Sequence, residues 1–163
     1  MSGTDIAAKT ERTQMGKDSS IDTNDATAVL GADRERACAL LGPALLAMAA
    51  DGATRESERR KLGNLLTANP LFLRIGPDAT QDCVARASAE IAAGGAERVL
   101  DRLTNQPPDL RETAIAMALF VAAADGTFCD QEHEVLASLA IRLDVSPERY
   151  NAIADVITVL YRA

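Results

Sequence analysis

Eleven consecutive apolar residues, Ala114 to Ala124 (AIAMALFVAAA), constrain the fold more than any other stretch of the chain. The run is too short to cross a bilayer, which takes about 20 residues. A helix made from it is apolar around its whole circumference and has to be surrounded by other elements, so it belongs at the centre of the molecule. Only 3 % of residues are aromatic and there is no Trp, so the 47 % hydrophobic residues are almost all Ala, Leu, Ile, Val and Met. Such residues suit close helix packing better than sheets. The chain therefore reads as all-α: a single-domain bundle of about seven helices, within the size range of one domain at 163 residues.

Residues 1–27 carry little apolar surface to offset the entropy of ordering and read as a disordered N-terminal tail, with the helical domain over 28–163. From Asp33 onward, Leu40, Leu41, Ala44, Leu45 and Met48 recur at helical spacing. Asp33 and Glu35 fall in the expected first turn of that helix and Gly52 at its end. Further helices are expected over about 55–68, 77–93, 96–104, 109–124, 130–143 and 147–161. Asn69-Pro70 closes the first of these, and LFLRI (71–75) follows as a short connecting segment. Ser146 and Pro147 supply an N-cap and a first helical residue for the last.

Two of the helix junctions are nearly the same sequence. Ala49 to Glu58 reads AADGATRESE and Ala123 to Glu132 reads AADGTFCDQE. Each corner has Asp before Gly, then acids in the first turn of the next helix: Glu56 and Glu58, then Asp130 and Glu132. Gly past a helix end and acids at a helix start are ordinary, the latter worth about 0.3 to 1 kcal/mol each through the helix dipole. Asp51 and Asp125 are different, because an acid in the last turn of a helix faces the negative end of that dipole. Two compensations are open: hydrogen bonds from the amides of the next helix, which would be purely structural, or a cation.

A hard cation of the Ca2+ or Mg2+ class needs about six to eight oxygens, more than one corner holds. An EF-hand is excluded, since its third and fifth loop positions are here Ala53 and Arg55, or Thr127 and Cys129. If the two corners meet, Asp51, Glu58, Asp125 and Glu132, flanked by Glu56 and Asp130, form one carboxylate cluster for a divalent metal. Without a cation those charges would repel one another and raise some of their pKa values.

The paired corners, the Ala-rich helix carrying the second, and the Leu143-Asp144-Val145-Ser146-Pro147-Glu148 turn before a final helix resemble the tellurite-resistance TerB-like family over residues 33–162. The resemblance implies an all-helical, cytoplasmic bacterial domain of stress responses, with clustered acids that bind divalent metal and with membrane-bound partner proteins. A relative occurs on a membrane-anchored DnaJ-like co-chaperone. Position by position, the acidic motif falls on Asp51, Glu58, Asp125 and Glu132. Arg55 and Cys129 depart from it, standing where a Ser-type N-cap is expected, and Arg55 offsets charge at the first corner.

Other classes are less well served. A net charge of -7 disfavours nucleic acid and anionic head groups. No Walker or dinucleotide glycine loop is present, and a single histidine, His133, gives no basis for a triad or a multi-His metal site. The chain reads as non-enzymatic. Cys38, Cys83 and Cys129 show no C-x-x-C pair, suggest no disulfide framework and fit a reducing cytoplasm, with Cys38 and Cys83 as core fillers. Cys129 sits among acids that would hold its thiol protonated. Arg59-Arg60-Lys61 reads as a solvated basic face, and the alternative to a metal site is a protein-interaction module whose acidic corners are helix caps.

Overall fold

A computed structural model of the chain describes residues 23–50, 56–125 and 130–161. Within them run α1 (Thr23–Leu40), α2 (Gly42–Ala50), α3 (Glu56–Ala68), α4 (Pro70–Ile75), α5 (Pro77–Ala92), α6 (Ala96–Thr104), α7 (Pro108–Ala122), α8 (Asp130–Arg142) and α9 (Pro147–Leu160), with a 3-10 turn, Ala123–Asp125, after α7. The fold is all-α, as the composition implies.

α7 lies at the centre. Ala114, Ile115, Met117, Ala118, Leu119, Val121 and Ala122 are all buried, and the helix packs against α1, α2, α3, α6, α8 and α9. Its most extensive packing is with α2, where both helices carry small side chains. α2 is itself buried along Gly42, Pro43, Ala44, Leu45, Ala47 and Met48.

Three expectations about the elements need correction. The first long helix is two helices with a break at Leu41, because Pro43 has no amide to donate and disfavours helical geometry in the residue before it. Gly42 at the break allows a close approach: a Cβ there would stand 2.9 Å from Val99 Cγ1 of α6. α1 begins at Thr23, inside the segment read as tail, so Asp33 and Glu35 lie mid-helix rather than in a first turn. The LFLRI segment is helical as part of α4, since Asn69 caps it by accepting from the Leu71 amide at 2.9 Å and Pro70 occupies its first turn. Counting both additions, the described residues hold nine α-helices rather than about seven.

A fourth correction concerns the cysteines. Cys38 on α1 and Cys83 on α5 are buried, as expected, but joined in a disulfide with Cα atoms 4.9 Å apart. The bond fastens two helices that Arg34–Asp82 and Arg86–Glu35 ion pairs also bridge, at 3.1 Å and 3.7 Å. Since disulfides persist mainly in oxidising surroundings, cysteine usage no longer argues for a reducing compartment. Among the described residues no helix is long and apolar enough to cross a membrane.

Candidate functional site

Each Asp-Gly corner connects two helices, α2 to α3 and α7 to α8, and the two helix pairs embrace one another. α2 packs against both α7 and α8, and α7 against both α2 and α3. The 3-10 turn of the second corner, Ala123–Asp125, lies against α3, the helix that leaves the first corner. Tertiary packing thus brings the start of the second corner against the helix that leaves the first, two corners whose Asp residues, Asp51 and Asp125, are 74 positions apart.

The two acids in the first turn of α3 part company. Glu58 is 4 % exposed, one of three buried polar or charged side chains among the described residues, with Asp33 and Thr80. It shares the inward face with Leu62 one turn on. Glu56 is on the surface, where its Oε2 accepts from Arg59 Nε at 3.1 Å and Nη2 at 2.9 Å. The i, i+4 relation of Glu58 to Leu62 was readable in the sequence and separates the two acids.

Asp51, with Gly52 and Arg55, lies outside the described residues, as do Gly126 and Cys129. Asp125 ends the 3-10 turn, and Asp130 and Glu132 lie in the first turn of α8, but their side chains are likewise outside what is described. Among the described residues no three His, Cys, Asp or Glu side chains are grouped to hold a metal ion.

His133 does not turn toward the acids that are described. Its ring stands edge-on to Tyr150 at 5.4 Å between centroids, with Nδ1 3.3 Å from the Tyr150 hydroxyl. Burial pushes the Tyr150 phenol up to about 12. The basic triplet on α3 is not a uniform solvated face. Lys61 Nζ lies 4.5 Å from the Tyr161 ring centroid and 5.2 Å from that of Phe120, and covers both rings.

Sequence reasoning missed one other buried charge. Asp33 accepts from Arg74 Nε at 3.0 Å and lies 3.6 Å from Arg36. Only the helical register of Asp33 with Arg36 was local enough to hint at it.

A family model described as tellurite resistance protein TerB matches residues 35–155, which take in both corners. No curated protein matches the chain, and no solved structure does.

Proposed function

The chain belongs to the TerB family, and from that premise we propose that it is a non-enzymatic domain that binds or senses a divalent cation through its acidic corners, in a bacterial stress response of the tellurite-resistance type. One observation carries this reading: the turn ending at Asp125 packs on α3, whose first turn holds the buried carboxylate of Glu58. Glu58 and Asp125, joined by Glu132 and Asp51 from the two corner segments, are the oxygen donors, a hard donor set suited to Ca2+ or Mg2+. Glu56 is an outer residue, engaged by Arg59. Asp130, at the start of α8, adds an acid where the helix dipole favours one.

A cation here would neutralise the corner acids and tie the two helix pairs together, so that binding stiffens the junction of α2, α3, α7 and α8. A membrane-bound partner protein would read that junction through exposed helix faces. Val156, Val159 and Leu160 on α9, between 59 % and 66 % exposed, favour such a surface. The same side chains support the second reading, an interaction module whose corner acids only cap helices.

Titration calorimetry with Ca2+, Mg2+, Mn2+ and Zn2+ separates the two. Saturable binding that Asp125→Asn with Glu132→Gln weakens at least tenfold is the expected result. Absence of saturable binding to all four ions, or binding indifferent to these changes, leaves the corners as caps.

A further inference from the structure

α3 packs on α4 and α7, and α5 on α1, α2, α4 and α6, leaving between α3 and α5 an apolar groove. It consists of two cavities of about 550 and 560 Å3 that share Gly63, Leu66 and Val84. Met48, Leu62 and Ile91 line one end. Phe72 and Leu73 line the other, where Leu73 is 62 % exposed. Each cavity falls in the size range of small-molecule sites.

Gly63 is the informative residue. It stands inside α3, where glycine disfavours the helix relative to any ordinary residue. Packing does not demand it, since a Cβ at this position would have nothing within 4 Å. Its backbone needs no left-handed conformation either, as the positive-φ glycines are Gly76 and Gly94. Gly63 lines both cavities, so its missing side chain leaves open space where they adjoin.

The charge at the rim is one-sided. Among the described residues, Arg59 is the charged side chain that lines these cavities, and no described acid lines either. Arg59 is held by the exposed Glu56, a surface pair of small net strength that leaves guanidinium hydrogens to share. Ser88 adds a hydroxyl at the same cavity. From Arg59, eight residues of α3 run along the groove to Thr67, about 12 Å at the helical rise.

We infer that the α3–α5 groove binds a free fatty acid, with the carboxylate at Arg59 and the alkyl chain passing over Gly63 toward Leu73. This site is separate from the buried Glu58, although Arg59 pairs with Glu56 at the first corner. An uncharged apolar groove would accept any oily chain. The guanidinium at one end, in a protein otherwise acidic, selects an anionic head on a single tail.

The test is calorimetry of the full chain with octanoate, decanoate, dodecanoate and tetradecanoate below their micelle-forming concentrations. Affinity is expected to rise about tenfold for each two methylenes added until the groove is full. Gly63→Leu fills the junction with a side chain that has room. It is expected to weaken dodecanoate at least tenfold while raising the melting temperature by roughly 2 to 4 °C, through helix propensity. Arg59→Gln is expected to abolish the preference for dodecanoate over dodecanol and leave dodecanol binding unchanged. Affinity that ignores chain length, or that Gly63→Leu does not change, overturns the assignment. So does concentration-dependent self-association that Gly63→Leu abolishes without carboxylate binding, which would give the groove to a second copy of the chain. Binding of dodecanoate only after residues 1–22 are removed would give it to the N-terminal segment, with the same consequence.

Discussion

Asp33 on α1 and Arg74 on α4 are 41 residues apart and joined by a hydrogen-bonded ion pair of 3.0 Å, with the Asp33 side chain 8 % exposed and that of Arg74 59 %. The pair fastens the start of the bundle to the short helix that closes one end of the groove.

Arg74→Met should destabilise the fold by about 1 to 2 kcal/mol, measured by urea unfolding. The carboxylate left behind is buried, but Arg36 at 3.6 Å still offsets part of its charge, and Arg74 itself is largely in water. Asp33→Asn in the Arg74→Met background should restore part of the loss, since an amide is cheaper to bury than a charge. An additive double variant would show that the two residues do not interact.

Reduction of Cys38–Cys83 should cost up to about 4 kcal/mol, the chain-entropy value for a loop of 45 residues. Thermal melting with and without reductant, and in Cys38→Ala with Cys83→Ala, measures it. Thiol titration of the unfolded, unreduced protein should give one free thiol, Cys129, out of three cysteines. Three would show that the bond does not form.

Stability should fall at both ends of the pH scale for identifiable reasons. The Tyr150 phenol is raised from 10.0 to about 12 by burial, so its contribution is complete below pH 10 and is lost as the pH rises toward 12. Tyr150→Phe should flatten that alkaline loss. On the acid side, a hydrogen bond from Arg102 holds the Glu90 carboxyl below its usual 4.5, and Arg149 does the same for Glu112. Their contributions are present above 4.5 and are lost as the pH falls through the lowered folded values. Unfolding midpoints across the pH range for Glu90→Gln, compared with the unaltered chain, check this: the variant should lose less stability on acidification.

Asp144→Gly should be neutral or stabilising by up to about 1 kcal/mol. Asp144 has φ of 55° at the end of α8, where Val145 N–H bonds back to Ala140 O at 2.9 Å in a left-handed helix stop. The gain is offset by the loss of the 3.5 Å ion pair between the exposed Asp144 carboxylate and the mostly buried Arg111, and by added freedom in the unfolded chain. A loss of more than about 1 kcal/mol on chemical unfolding would show that the Asp144 side chain matters more than its backbone.

The elements that the sequence predicted well are those whose signals are local. The central place of α7 follows from eleven apolar residues in a row. The boundaries of α6, Ala96–Thr104, follow from Gly94-Gly95 before it and Asn105-Gln106-Pro107-Pro108 after it. Ser146 caps α9 as its type and position imply, accepting from the Arg149 amide at 3.3 Å. Hydrophobic periodicity and punctuation by Gly and Pro act within a few residues, so a one-dimensional reading recovers them.

The candidate site was legible only in part. The doubled AADG, and the family it points to, were in the sequence. That the second corner meets α3 was not, because α3 and the Ala123–Asp125 turn come together only in the tertiary structure. Glu56 and Glu58 look alike as first-turn acids, yet only Glu58 turns inward with Leu62. The Cys38–Cys83 bond had no spacing to announce it, and the α3–α5 groove exists because helices distant in the chain fail to close over Gly63. Sequence by itself determined the helices, the central apolar segment and the two acidic corners, since hydrogen bonding within helices and burial of apolar faces are short-range demands. Tertiary structure alone decided which charges are buried, which cysteines pair and where the core stays open, because each depends on the mutual placement of helices that share no local pattern.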